Sequence, residues 1–475
     1  MRTFLKWATM VLVPVIVFTL TAGHAHAMPL VLDPHFLPFA VGAITGGVVS
    51  ANTISTLGQL FKKTDSGMLT ALQEQTPELK WLRKTPMANL IPSGLEMRLI
   101  LNVLFQGGGQ MIPDGGYEST TTVQAPQSGT VSFMQYNNRF ALTGLGRAFD
   151  TKGSRGEVMK LNFYAAKKVM EAMGRKMGYQ TYGYSTGTVA VVDTTATVST
   201  NTNVLLKQAF GSTLIGNTNA TATTNQLTYL AQLFRNIGEL CGPIHSADVV
   251  TNGQGSIVSA TNSTGSINVT TAGGSSTWTG GDPIVMFNSV TDVTKAGTEL
   301  NLWPNGLLDV TQSSSLHGLA TSTAPNWASY TDTSGGRFGF IKLRKGQQYI
   351  QNYGGTEADT LILPNGVLND ATAAERSARI YPGEDMFDLD GNLKAKGIDI
   401  RTSLLAPPGL GFLFDSEVYT KLELGDLPSE DGGPDLFEID KLPNQNIWAA
   451  SLNYFYLRAC TNRAAVAAFS GLTEQ

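Results

Sequence analysis

Between Asp248 and Asp282 the chain carries no charged residue, and between Asp193 and Arg235 it carries one, Lys207. Thr, Ser, Asn and Gly fill both stretches. Such long, neutral, Thr-rich runs suit β-structure, where β-branched side chains pack on a pleated surface. They also suit a surface covered by other subunits, where a charge would be costly to desolvate. The shortage of charge extends to the whole chain, at 15% against the usual quarter or so. The net charge of −4 argues against a dedicated nucleic-acid binder, which shows a basic footprint. At 475 residues the chain exceeds one average domain, so two or three substructures are expected.

The first residues read as a secretory leader. Arg2 and Lys6 precede an apolar run from Ala8 to Leu20, and Ala25-His26-Ala27 resembles a cut site. That run is shorter than the ~20 apolar residues of a membrane span, and no later stretch reaches that length, so a soluble protein is expected. A second methionine, Met28, follows the cut site directly. Cys241 and Cys460 have neither metal nor C-x-x-C spacing and are expected to be buried thiols.

Residues 50–85 read as mostly helical, with Pro77 interrupting the pattern. A strand is expected over Glu96–Gln106 and another over Val131–Gly144. Between them lies a Gly/Pro/Thr-rich excursion, Gly107–Thr130. Two strands flanking a long neutral tip make an extended hairpin arm, which must lie on something else, most simply a neighbouring subunit. The clearest element is a helix over Ser154–Gly178, ~35 Å long at the standard rise. Ser154 and Glu157 form a capping box, and Met159, Phe163, Ala166, Met170, Met173 and Met177 follow helical spacing. Lys160, Lys167, Lys168 and Arg175 make the opposite face basic, and Gly178 is the expected stop. That basic face suits either simple solvation or contact with something anionic.

After Gly187 the pattern turns to β, with a helix near Asn225–Leu240 and a hairpin about Asn262–Gly265. Residues 243–290 read as a small β-subdomain. Residues 358–427 read as mixed α/β, with a hairpin turning at Asp390-Gly391. A long β-run from Ile447 to Leu457 comes near the end of the chain. No internal repeat is present.

Catalytic motifs are weak. Gly183-Tyr184-Ser185-Thr186-Gly187 matches G-x-S-x-G, but a nucleophile elbow needs a strand before the serine and a helix after it, and the pattern here is the reverse. Asp388, Asp390 and Asn392 hint at a calcium loop, yet Leu393 stands where its glycine should be. Among His24, His26, His35, His245 and His317, none has the spacing of a metal site or triad. Gly107-Gly108-Gly109 lacks the Lys and helix of a P-loop. No enzyme and no cofactor is expected.

The order of elements resembles the major capsid protein of tailed bacteriophages, the Hong-Kong-97-type fold. Three stretches carry the likeness: the helix and Gly-rich turn over 140–188, the segment with Gly306-Leu307, Gly318 and Trp327, and the end of the chain over 446–472. The resemblance implies an α+β capsid fold, covering about residues 50–475. Residues 28–95 would be an N-terminal arm, 96–142 an extended E-loop and 143–190 the spine helix of a peripheral domain. A β-rich insertion would occupy 191–310, an axial and peripheral α/β region 311–440, and the C-terminal strand and tail 441–475. Gly107, Gly108, Gly109 and Tyr117 would serve assembly at the E-loop. Lys160, Lys167, Lys168 and Arg175 would face packaged DNA as non-specific phosphate contacts.

Implied partners are copies of the chain in pentamers and hexamers, a separate scaffold protein, a portal and decoration proteins, with no membrane. Residues 107–138 contain no lysine, so a covalent crosslink through an E-loop lysine is not expected. The implied place is a virion capsid assembled in host cytoplasm. A leader at 1–27 conflicts with that, and translation from Met28 is the favoured expectation. The competing reading is an exported β-rich surface protein, S-layer or adhesin-like; a serine hydrolase through Ser185 comes third.

Overall fold

The computed structural model describes Glu78, Trp81, Leu82 and residues 90–93, 96–101, 127–132, 134–143, 172–215, 218–235, 239–244, 255–271, 275–287, 303–322, 324–378, 394–395, 397–423, 437–441 and 447–474. All of them belong to the compact unit Val41–Gln475.

Strands β1 (Leu90–Ser93), β2 (Glu96–Leu101) and β3 (Gln127–Ser132) form an antiparallel sheet. The β2–β3 register runs from Glu96↔Ser132 to Leu101↔Gln127, so residues 102–126 join the two strands at one end, as a hairpin does. Leu99 and Leu101 are buried while Ile100 is exposed, the two-residue alternation of a half-buried strand. The strand expected over Val131–Gly144 is two strands. β4 (Met134–Thr143) leaves this sheet and pairs elsewhere.

Residues 172–180 form the described part of helix α1. Met173 and Met177 are fully buried, as their spacing predicts. The helix does not stop at Gly178: Thr181 N–H still donates to Met177 O at 3.2 Å. It ends when the next turn docks on another segment, as described below.

The neutral stretches build a closed antiparallel barrel. After α1 come β5 (Ala190–Val192), β6 (Ala196–Val198), β7 (Thr202–Lys207), helix α2 (Thr224–Leu233), β8 (Leu240–Pro243), β9 (Gly255–Thr261), β10 (Ser266–Thr271), β11 (Ser276–Trp278) and β12 (Pro283–Phe287). The barrel order is β10-β7-β5-β12-β8-β9. It therefore begins at Ala190, well before residue 243 where a β-subdomain was expected, because β5, β7 and β8 supply half its wall. Val204, Leu206, Ile257, Ile267, Val269 and Ile284 are fully buried core residues in it. α2 opens with a capping box between Thr223 and Gln226.

The remainder holds α3 (Leu307–Gln312), β13 (Ser315–Leu316), β14 (Leu319–Ala320), β15 (Tyr330–Asp332), α4 (Phe340–Tyr349), β16 (Thr360–Pro364), α5 (Asn365–Ala378), β17 (Lys394–Ala395), β18 (Ile398–Ser403), β19 (Gly411–Phe414), β20 (Tyr419–Glu423), β21 (Phe437–Lys441), β22 (Ile447–Cys460) and β23 (Val466–Phe469). A six-stranded mixed sheet has the order β15-β23-β19-β16-β18-β17. Its central strands β16, β19 and β23 are buried at every position, which explains why they are apolar apart from Thr360.

The turn expected at Asp390-Gly391 lies outside the described residues; a hairpin next to it turns through Gly397. β17 and β18 pair Lys394↔Asp399 and Ala395↔Ile398, and Gly397 supplies the positive φ, +86°, that a two-residue turn requires. Asp388, Asp390 and Asn392 lie outside the described residues. β22 is flanked on both edges: β4 pairs with Ile447–Tyr456 on one side, while β21 and β20 share the other. The architecture is α+β.

Candidate functional site

The described part of the chain converges on a buried junction where the end of α1, the segment 303–320 and the end of β22 meet. Two glycines allow the closest approach. A Cβ on Gly306 would stand 2.2 Å from Gly183 O, and one on Gly183 would stand 2.9 Å from the Trp303 ring. With no side chain at either position, the backbones dock. Leu307 N–H donates to Thr181 O at 2.8 Å and Leu308 N–H to Tyr182 O at 3.2 Å. These bonds take up the carbonyls that would otherwise be left orphaned past the end of α1.

The G-x-S-x-G turn sits inside this junction. It follows a helix and precedes β5, which is the wrong context for a nucleophile. Ser185 contributes its backbone N–H, donated to Asp309 Oδ2 at 3.4 Å. The other Asp309 oxygen accepts from Ser313 Oγ. The motif is therefore a docking turn.

The end of β22 carries buried polar groups. Arg458 is fully buried, donates to Met177 O at 3.0 Å and lies 5.5 Å from the Tyr456 ring centroid. Tyr456 OH donates to Gln180 Oε1. Arg463, just beyond the strand, donates to the carbonyls of Val310 and Ser313. Tyr419 OH donates to Asn305 O at 2.8 Å.

His317 ties three elements together. Its Nε2 accepts from Cys460 N–H at 3.1 Å, which leaves the proton on Nδ1; the Asn305 amide 3.2 Å away accepts that proton once it is turned to present Oδ1 in place of Nδ2. Its carbonyl accepts from Thr130 of β3 at 3.4 Å. His317 and Gly318 have φ of +53° and +83°, so the chain turns sharply here. Burial, aided by the Arg463 charge, lowers the His317 pKa to about 4. The imidazole is neutral at pH 7 and acts as a structural acceptor.

Glu78 joins the same network. It is 1% exposed and accepts from Tyr182 OH at 3.2 Å and from Ser403 Oγ. Burial raises its pKa, against the pull of those hydrogen bonds and of Arg458. Glu78, Tyr182, Asp309, Arg458 and Arg463 carry the junction, and none of them was singled out from sequence. Arg458 in "NYFYLRAC" and Arg463 in "TNRAAVAAF" did give a signal: a charge inside an apolar run needs a buried partner.

Of the residues singled out from sequence, Arg175 is exposed on α1. Lys160, Lys167, Lys168, Gly107, Gly108, Gly109 and Tyr117 lie outside the described residues. Trp327 is fully buried. Cys241 and Cys460 are free and buried, with the Cys460 thiol pushed up to about 12 by burial. Among the described residues no cluster of three His, Cys, Asp or Glu side chains is placed to hold a metal ion. No helix among them is long and apolar enough to cross a membrane.

No family model matches the chain, and no curated protein does. Solved structures do resemble it. The cyanophage A-1(L) capsid asymmetric unit shares 10% identity at a TM-score of 0.46, over 84% of this chain and 93% of that one. The holo-SrpI encapsulin complex from Synechococcus elongatus shares 10% at 0.37, over 83% and 86%. The satellite phage P4 procapsid that includes the size determination (Sid) protein shares 9% at 0.36, over 86% and 91%. These are phage capsids and an encapsulin. Their TM-scores lie below 0.5, so the functional reading rests on the chain's own elements.

Proposed function

We propose that the chain is the major capsid subunit of a tailed bacteriophage, a structural protein that assembles into pentamers and hexamers of an icosahedral shell around packaged double-stranded DNA. One observation carries this reading. β22 pairs along one edge with β4, the strand returning from the hairpin arm, and its end is bonded to α1 through Arg458 and Tyr456. A long strand that joins an extended arm to a spine helix is a frame for reaching neighbours.

In this reading the arm over 96–142 overlaps a neighbouring subunit, with Gly107, Gly108, Gly109 and Tyr117 in its connection. Lys160, Lys167 and Lys168, on the basic side of the spine helix, face the genome, while Arg175 of the same expected face lines a cleft. Six-stranded sheet and surrounding loops form the axial region, and the barrel is an insertion. A separate scaffold protein, a portal and decoration proteins are the expected partners. The neutral stretches fit large, individually weak contacts, since interface area need not mean high affinity per contact.

The test is to express the full chain and the form starting at Met28, sediment each with and without a candidate scaffold, and image the product. Closed shells or capsomer rings support the reading. A monodisperse monomer together with export of the full-length chain would favour the exported β-rich surface protein. Loss of DNA retention when Lys160, Lys167 and Lys168 are changed to Glu would support the genome-facing helix; normal retention would remove it.

A further inference from the structure

A cleft of about 600 Å³ opens between α1, α2, the first turn of α5 and the 404–408 loop. Its walls carry two cations that form no ion pair with the described residues. Two acids in it are already engaged: Glu239 accepts from Lys176 at 2.8 Å, and Glu474 accepts from Gly409 N–H at 2.6 Å and Asn225 Nδ2 at 2.7 Å. Arg175 and Arg235 are exposed and form no ion pair with the described residues. Both line the cleft together with Tyr179. The rim is apolar: Leu404 is 79% exposed, the largest exposure among the large hydrophobic side chains described. Two unused cations beside an exposed leucine fit a peptide that alternates carboxylates with apolar side chains.

The chain contains one such peptide. From Glu423 to Asp440 there are seven acids and no base, interleaved with Leu424, Leu427, Leu436, Phe437 and Ile439. Without those seven acids the net charge of −4 would be +3. The central part, residues 424–436, leaves β20 at Glu423 and re-enters β21 at Phe437, strands that pair with Tyr456 and Leu452 of β22. Thirteen residues that leave and return can reach ~20 Å from the sheet edge at full extension. Neither Arg175 nor Arg235 has an ion-pair partner among the described residues, so both can meet acids brought by another copy.

We infer that the cleft receives the acidic segment 424–436 of a second copy of this chain, with Asp426, Glu430, Asp431 and Asp435 meeting Arg175 and Arg235, and leucines covering Leu404. The inference rests on the shell reading for its second copy. It makes the cleft an intersubunit clasp, electrostatic and therefore weakened by salt.

The test has two arms. In the first, a labelled synthetic peptide of residues 424–436 is titrated into the purified full chain. Binding is expected, weakened by salt and by tenfold or more in Arg175→Gln/Arg235→Gln. Both arginines are exposed, so that variant should melt like the parent, and Leu404→Ser should weaken binding separately. In the second arm, shell yield is compared for the parent, for Arg175→Glu/Arg235→Glu, for Asp426→Lys/Glu430→Lys/Asp431→Lys/Asp435→Lys, and for the two sets combined. Each set alone should lower the yield and the combination should restore it. Equal peptide affinity in parent and arginine variant, or parental shell yield from both single sets, overturns the clasp while leaving the shell reading intact. Arginine-dependent peptide binding by a chain that never forms shells supports the cleft and sinks the shell.

Discussion

The barrel and the junction at the end of β22 are both buried, and they are built from opposite chemistry. The barrel interior is aliphatic, and its strands all come from residues 190–287. Its described ion pair, Lys207 with Asp193 at 3.6 Å, joins neighbouring strands. The junction buries Glu78, Asp309, His317, Arg458 and Arg463, and joins residues far apart: Glu78 to Ser403, Arg458 to Met177. Apolar burial is non-directional and accepts any well-shaped neighbour. A buried polar group is stable only with its own partner in place. The barrel is built from one continuous stretch of the chain, while the junction forms only when distant segments have come together.

The largest expected effect breaks the barrel. Trp278 is fully buried, and a Cβ on Gly255 of β9 would lie 3.5 Å from its ring. Trp278→Ala should cost about 3–5 kcal/mol. Hydrogen exchange should show the loss in β9 and β10, with the amides of Leu307 and Cys460 still protected. Equal loss at both places would show that barrel and junction are one cooperative unit.

A pH titration should reach the junction first. The His317 pKa is depressed to about 4 from an ordinary 6.5. The neutral form is therefore favoured in the fold, and its contribution, up to roughly 3 kcal/mol, is complete above pH 6.5 and lost as pH falls toward 4. Protonating Nε2 removes the acceptor for Cys460 N–H. Glu78 has the opposite sign: its pKa is raised, so its contribution is present below the ordinary carboxylate value of 4.5 and fades as pH rises through the higher folded value. The protection of the Cys460 amide, its exchange rate relative to the intrinsic rate at each pH, should fall between pH 6.5 and 4. A His317 resonance titrating near 6.5 in the folded chain would contradict this.

The same contrast explains what the sequence discloses. The presence of α2 (though shorter than the expected Asn225–Leu240), the β9–β10 hairpin and the long β22 were readable, because each depends on residues close in the chain. The switch of β4 from the β3 sheet to β22 was not. An alternating pattern says which face of a strand is buried but not which strand lies beside it. Gly178 looked like a helix stop because local rules favour a glycine there. The true stop depends on Leu307 and Leu308, more than a hundred residues away. The docking of Gly183 on Gly306 was equally invisible, since neither glycine has a local signature for the other.

Two smaller substitutions probe that docking directly. Gly306→Ala places a Cβ against the backbone carbonyl of Gly183, where no flexible side chain can yield. It should cost roughly 1–3 kcal/mol, read from the thermal or denaturant midpoint. Ser185→Ala, only two residues from the same contact, should change stability by less than about 0.5 kcal/mol. The difference follows from which atoms are engaged. The Ser185 bond to Asp309 uses the backbone N–H, and alanine keeps it. Ser185→Pro removes that N–H and should be clearly worse than Ser185→Ala. If alanine and proline were equally damaging, the hydroxyl would matter, and the turn would need a chemical role beyond joining two backbones.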